Sequence, residues 1–168
     1  MAALVIGLGN PILGDDGVGW RVADAVETRL RGNADGVEVD RSSAGGLALM
    51  ERLVGYERAV VVDAIRGGGS AGDVRRFAID DLPDPGEGHT GSPHDATLRG
   101  AFDLGLALGA DLPRDVTVVA VVIPESLVFS ESLSPPVAGA VPRAVDLVLQ
   151  TLGSNAEPRG RSDSGQMI

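Results

Sequence analysis

Residues able to do chemistry are few in this 168-residue chain, and they gather in four short stretches. The first, Gly7-Leu8-Gly9-Asn10-Pro11-Ile12-Leu13-Gly14-Asp15-Asp16-Gly17-Val18-Gly19, sets two adjacent carboxylates among five glycines. Asp63 follows directly on the apolar run Ala59-Val60-Val61-Val62. Ser92-Pro93-His94-Asp95 closes a long polar loop, and Pro124-Glu125-Ser126 ends another apolar run. Each has an ordinary structural role. Asp15 or Asp16 would cap the helix that follows, Asp63 would close a turn, and His94 would cap a helix beginning near Asp95. His89 reads as a solvated loop residue, and Glu125 would accept loop N–H groups. Asp63 asks for more, because a carboxylate beside a buried strand needs a cation or donors to offset its desolvation.

Absent residue types exclude other chemistries. Without cysteine there is no thiolate nucleophile, disulfide or sulfur-ligated zinc or iron–sulfur site. All fourteen basic residues are arginine, which excludes Schiff-base chemistry and the P-loop lysine. The Gly7/Gly9 start is not a dinucleotide fingerprint, since its third glycine would fall on Ile12. A small-molecule hydrolase of α/β type would need a Gly-x-Ser-x-Gly elbow between a strand and a helix, and the match Gly68-Gly69-Ser70-Ala71-Gly72 falls in a glycine-rich connection with no helical stripe after it.

The elements that must position these residues follow from length and patterning. A chain of this size builds one domain. At 43% hydrophobic and 3% aromatic, its core must be Val, Leu, Ile and Ala. A net charge of −10 repels phosphate backbones and anionic membranes, and aromatic platforms for bases are scarce, so neither nucleic acid nor membrane is an expected partner. The start, Met1-Ala2-Ala3-Leu4-Val5-Ile6-Gly7, has no basic leader segment, and no apolar run nears the ~18 residues of a membrane span; the expected location is cytoplasmic.

Short β-branched runs without alternation, at residues 2–6, 59–62 and 116–123, predict strands buried on both faces of a parallel sheet. Weaker strands fall at 37–40 and 73–79. Between them lie four helical stripes: Val18, Val22, Ala25, Val26 and Leu30; Leu49, Met50, Leu53 and Val54; Leu98, Phe102, Leu106 and Ala107; and Val141, Val145, Leu149 and Leu152. Strands alternating with helices make an α/β fold with about five strands. The predicted domain is residues 1–152. Residues 80–93 read as a long loop, and 153–168 have the composition of a disordered tail. In such sheets ligands bind beyond the carboxyl ends of the strands. All four stretches would converge there, and as a set they suggest an Asp/Asp/His cation site suited to nickel, zinc or manganese.

In order and spacing, Gly7-Leu8-Gly9-Asn10-Pro11, Asp15-Asp16-Gly17-Val18-Gly19, Val62-Asp63-Ala64, Ser92-Pro93-His94 and Ile123-Pro124-Glu125-Ser126-Leu127 resemble the hydrogenase maturation endopeptidases. That family removes the C-terminal extension of the [NiFe]-hydrogenase large-subunit precursor. The resemblance covers about residues 4 to 150. It implies a three-layer α/β/α sandwich with a twisted, mostly parallel sheet. It also implies that Asp16, Asp63 and His94 act as both catalytic residues and nickel ligands, the nickel being supplied by the precursor. His89 has no counterpart in the pattern. Where the family carries Asp-Gly-Gly-Thr-x-Gly, this chain reads Asp40-Arg41-Ser42-Ser43-Ala44-Gly45, a departure in a box associated with the substrate. With His94 engaged as a ligand, no Ser/His/Asp triad is available. An aspartyl mechanism, with Asp16 and Asp63 sharing a proton, would leave His94 without a role. The alternative from another class is a non-enzymatic nickel-binding or chaperone-like maturation factor on the same fold.

Overall fold

The computed structural model describes residues 2–33, 35–81 and 93–154, with side chains described for all of these except 93–97. The order of elements is β1 (Ala3–Leu8), a 3-10 turn (Gly14–Gly17), α1 (Val18–Leu30), β2 (Val37–Ser42), α2 (Gly46–Leu53) and β3 (Arg58–Arg66). Then follow β4 (Val74–Ala78), a second 3-10 turn (Ile79–Asp81), α3 (Pro93–Ala107), β5 (Asp115–Ile123) and α4 (Pro135–Gly153). The strands form one sheet in the order β2-β1-β3-β5-β4. Four are parallel and β4 is antiparallel to β5. The reversal of β4 follows from its connection: residues 67–73 are too short for a parallel crossover, which takes a dozen residues or more.

Alternation of side chains divides the core into two layers. Leu4, Ile6, Leu8, Ala59, Val61, Val116 and Val118 pack beneath α2 and α3. Val5, Val60, Val62, Ala64, Val119, Val121 and Ile123 pack beneath α1 and α4. The result is the expected α/β/α sandwich. At the edge, β4 is thin: Val74 is buried, while Arg75 and Arg76 are exposed.

Four details correct the sequence reading. Asp63 does not end its strand, because β3 continues to Arg66, paired throughout with β5. In α4 the buried stripe is Val137, Ala140, Ala144, Val145, Val148 and Thr151, whereas Val141, Leu149 and Leu152 are half-buried; the small alanines let the helix approach the sheet, so its centre falls on them rather than on the larger residues. Val54, Leu106 and Ala107 are exposed, not core. The expected helix start near Asp95 moves to Pro93. Residues 82–92, with His89, and the tail beyond Ser154 lie outside the described residues.

The tightest packing is backbone on backbone at the start of α1. A Cβ on Gly19 would stand 2.3 Å from the Leu8 carbonyl oxygen and 2.6 Å from that of Val62. One on Gly7 would stand 2.2 Å from the Gly19 oxygen. At the opposite end of the sheet, Arg58 donates to the carbonyls of Thr151 at 2.6 Å, Ser154 at 3.2 Å and Leu152 at 3.3 Å, holding the last turn of α4 where carbonyls lack helical partners.

Gly19→Ala is expected to lower the free energy of unfolding by about 3 kcal/mol or more, since neither carbonyl can withdraw. Gly139→Ala, on the open face of α4 with nothing within 4 Å, is expected to raise it by about 0.5–1 kcal/mol. Urea denaturation measures both.

Candidate functional site

The sheet order contains one switch point at which chain connections depart in opposite directions. From β1 the chain moves to β2 on one side, while β3 lies on the other. Loops separate there, leaving a crevice at the carboxyl ends of β1 and β3. Asp16 stands in the 3-10 turn that follows β1 and packs against β3, and Asp63 stands on β3 itself. Asp16 is 8% exposed and Asp63 1%. They are the only buried charged side chains among the described residues.

Local structure explains how two adjacent carboxylates take different positions. Gly9 has φ +130°, and a Cβ there would lie 1.9 Å from the Asp16 carbonyl oxygen, so the chain doubles back tightly after β1. The N–H of Asn10 donates to Asp16 Oδ2 at 2.8 Å, and the Asn10 Oδ1 accepts the N–H of Ile12 at 3.2 Å. The 3-10 turn then points the two acids apart. Asp15, half-buried, accepts the N–H of Ser134 at 2.7 Å and its hydroxyl at 2.8 Å. Ser134 is the N-cap of α4, whose first two residues, Pro135 and Pro136, have no N–H to offer. Asp15 therefore fulfils the capping role anticipated for one of the pair, though for α4 rather than α1.

Asp63 Oδ1 accepts the N–H of Ala64 at 2.8 Å. Ala59 and Val61 belong to the layer beneath α2 and α3, so alternation turns Asp63 toward that face. Helix α3 feeds β5 and so begins over the carboxyl edge of the sheet, which places the backbone of His94, in its first turn, on the same face. The His94 side chain is outside those described. Among the described residues no group of three His, Asp or Glu side chains forms a metal cluster. Two buried carboxylates, one on β3 and one on the turn packed against it, are nonetheless a donor set of the kind that suits a divalent ion.

Other rim residues emerge only from the register. Asp63 pairs with Ala120, and Ala120 with Arg75 on β4. Arg75 donates to the carbonyl of Gly68, and the side chain of Glu125 lies beside Gly67, 3.7 Å from where a Cβ would stand. Arg66, at the end of β3, has a buried Nε with no hydrogen-bond partner among the described residues. In sequence, Arg75 falls within the weaker strand at 73–79, and nothing local signals the row. A groove of about 740 Å³ between α1 and α4, lined by Ala25, Leu133, Val141 and Val145, touches neither Asp16 nor Asp63.

The hydrogenase maturation protease (HycI) family model matches residues 21–151. The chain belongs to the hydrogenase maturation protease family. The hydrogenase 2 maturation protease of Escherichia coli (strain K12) is 30% identical over 162 residues, covering 95% of this chain and 97% of that protein. Among solved structures, the hydrogenase maturating endopeptidase HybD from E. coli superposes with a TM-score of 0.72 at 27% identity, over 90% of this chain and 92% of that one. The hydrogenase 2 maturation peptidase from Thaumarchaeota archaeon SCGC_AB-539-E09 gives 0.64 at 30% identity, over 91% and 99%. As a member of this family the chain is a hydrolase, an endopeptidase.

The departure at residues 40–45 has a structural counterpart in this maturation protease. Arg41 donates to Asp24 at 2.7 Å and to Glu27 at 2.6 Å, bracing β2 against α1. Those bonds hold the Glu27 carboxyl below its ordinary pKa and the Arg41 guanidinium above its own. The Ser42 carbonyl accepts the N–H of Gly9 at 3.1 Å and the indole N–H of Trp20 at 3.3 Å, tying this box to the crevice.

Asp15→Ala is expected to lower stability by about 1–2 kcal/mol through loss of the Ser134 bonds. Asp16→Asn, which keeps an oxygen for the Asn10 N–H, is expected to stay within about 1 kcal/mol of wild type. Parallel urea titrations compare them.

Proposed function

We propose that this endopeptidase removes the C-terminal extension of a [NiFe]-hydrogenase large-subunit precursor in the cytoplasm, and that it recognises its substrate through nickel the precursor already holds. Asp16, Asp63 and His94 would complete the coordination of that ion. The observation that supports the reading is the pairing of burial with position: the only two buried charges among the described residues belong to β3 and to the turn packed against it, beside the switch point of the sheet. Buried carboxylates oppose folding unless something offsets their desolvation, so such a pair is maintained for what it binds. The family and the names of the relatives supply the substrate class.

The donor set favours a shared ion over a resident one. Two carboxylates and one imidazole, with no cysteine in the chain, make a weak site for retaining a borderline metal, but they can fill open positions on an ion anchored elsewhere. The ion would polarise the scissile carbonyl or acidify a water. The protein's share is positioning. The Gly9 reversal and the Asn10 N–H fix Asp16, and the pairing of β3 with β5 fixes Asp63, so recognising the nickel and placing the peptide bond become one event.

Nickel-loaded precursor is expected to be cut, and metal-free precursor to remain intact even with excess enzyme, as read by gel mobility. Asp63→Asn is expected to reduce cleavage of loaded precursor by about 100-fold or more while the variant still folds. Efficient trimming of metal-free precursor would overturn the shared-ion reading in favour of an aspartyl pair.

A further inference from the structure

Beside the crevice, two loops are joined into a single exposed apolar ridge. Residues 10–14, after β1, and 124–134, after β5, meet through a parallel bridge between Leu13 and Ser130. The N–H of Gly14 donates to the Ser130 carbonyl at 2.7 Å, and the N–H of Ser130 donates to the Ile12 carbonyl at 3.0 Å. Gly14 has φ +60°, and a Cβ there would lie 3.0 Å from the Val128 carbonyl oxygen, so the approach of the loops depends on glycine. The Asp15–Ser134 bonds fasten the far end of the second loop. This well-held frame presents Ile12, Leu127, Val128 and Phe129, with Val128 65% and Phe129 83% exposed. The exposed leucines at the end of α3 and just beyond it, Leu104, Leu106 and Leu108, lie at the amino edge of the sheet, away from the crevice.

Exposed apolar side chains on a braced frame, rather than on a loose loop, mark a surface made to be covered. Its neighbours indicate by what. Glu125 and Glu131 flank the ridge, both exposed and neither ion-paired among the described residues, while Arg21 reaches only the backbone carbonyl of Glu131. The whole chain carries −10. Charge complementarity therefore calls for apolar side chains flanked by Lys or Arg. Asp16 is four residues on from Ile12, at most ~14 Å of chain, so whatever covers the ridge lies close to the peptide bond in the crevice. We infer that the Ile12/Leu127/Val128/Phe129 ridge docks an apolar, basic-flanked segment of the precursor adjoining its cleavage junction. The inference rests on the function proposed above. It adds a recognition surface that acts apart from the nickel.

The test pairs binding with cleavage. Affinity for metal-free precursor is measured by biolayer interferometry, and KM and kcat are measured on nickel-loaded precursor. Val128→Ser/Phe129→Ser is expected to weaken binding and raise KM about tenfold or more, with kcat within about twofold and an unchanged thermal midpoint. Phe129→Leu is expected to recover most of the affinity. Glu125→Gln/Glu131→Gln is expected to flatten the salt dependence of binding. Wild-type affinity in the double serine variant would overturn the ridge while leaving the proposed function intact. Loss of affinity in that variant, with a wild-type protein that binds but never cuts, would uphold the ridge and defeat the cleavage reading. A wild-type protein that neither binds nor cuts defeats both. A wild-type dimer that the serine variant abolishes, at unchanged affinity for precursor, would assign the ridge to a second copy and overturn the inference.

Discussion

Everything at the carboxyl edge of the sheet hangs on a contact made without side chains. The first turn of α1 is pressed so closely on β1 and β3 that Gly7 and Gly19 leave no room for a methyl group. The contact fixes the height of α1 above the sheet and brings the preceding 3-10 turn against β3. Asp16 is thus carried to the rim on which Asp63 stands by backbone packing. A site set this way is rigid before substrate arrives, the condition under which fixed charges act on a reacting centre with least reorganisation.

The same turn serves two masters. Asp15 ties the loop to α4, and its neighbour faces the crevice, so the fastening of one layer and the chemistry of the rim sit on consecutive residues. The box at residues 40–45 shows a related economy. Arg41 takes up ion pairs with α1, while the carbonyl of Ser42 holds Gly9 and Trp20. The Arg41 side chain and the Ser42 backbone are thus built into the support of the crevice from the β2 side.

The layers of the fold were legible because β3 and β5 are buried on both faces, which forces unbroken runs such as 116–123, and because α1 buries a clean stripe through Val18, Val22 and Val26. Where packing relies on small residues the pattern misleads: Ala140 and Ala144 bring α4 onto the sheet, yet leucines draw the eye. Asp16 and Asp63 stood out by chemistry. Their separate fates from Asp15 did not, since those depend on a 3-10 turn that no periodicity encodes. Arg75 joins the row of Asp63 only through two strand pairings, and Phe129 reads in isolation as an ordinary loop residue. Long-range register, invisible in any short window, made both findings.

The antiparallel edge strand carries a consequence for how the chain survives its own synthesis. The run in β5, Asp115–Ile123, is β-branched, nearly uncharged and free of proline past its first residue, the composition that pairs most readily with other chains into fibrils. In the folded protein it is covered on one side by β3 and on the other only by the five residues of β4, where Arg75 and Arg76 face solvent and discourage further strand addition. Because β4 precedes β5 in the chain, the strand that covers this edge is already synthesised when the aggregation-prone run is made. A strand too short to add much to the core thereby acts as a gatekeeper for its most adhesive segment.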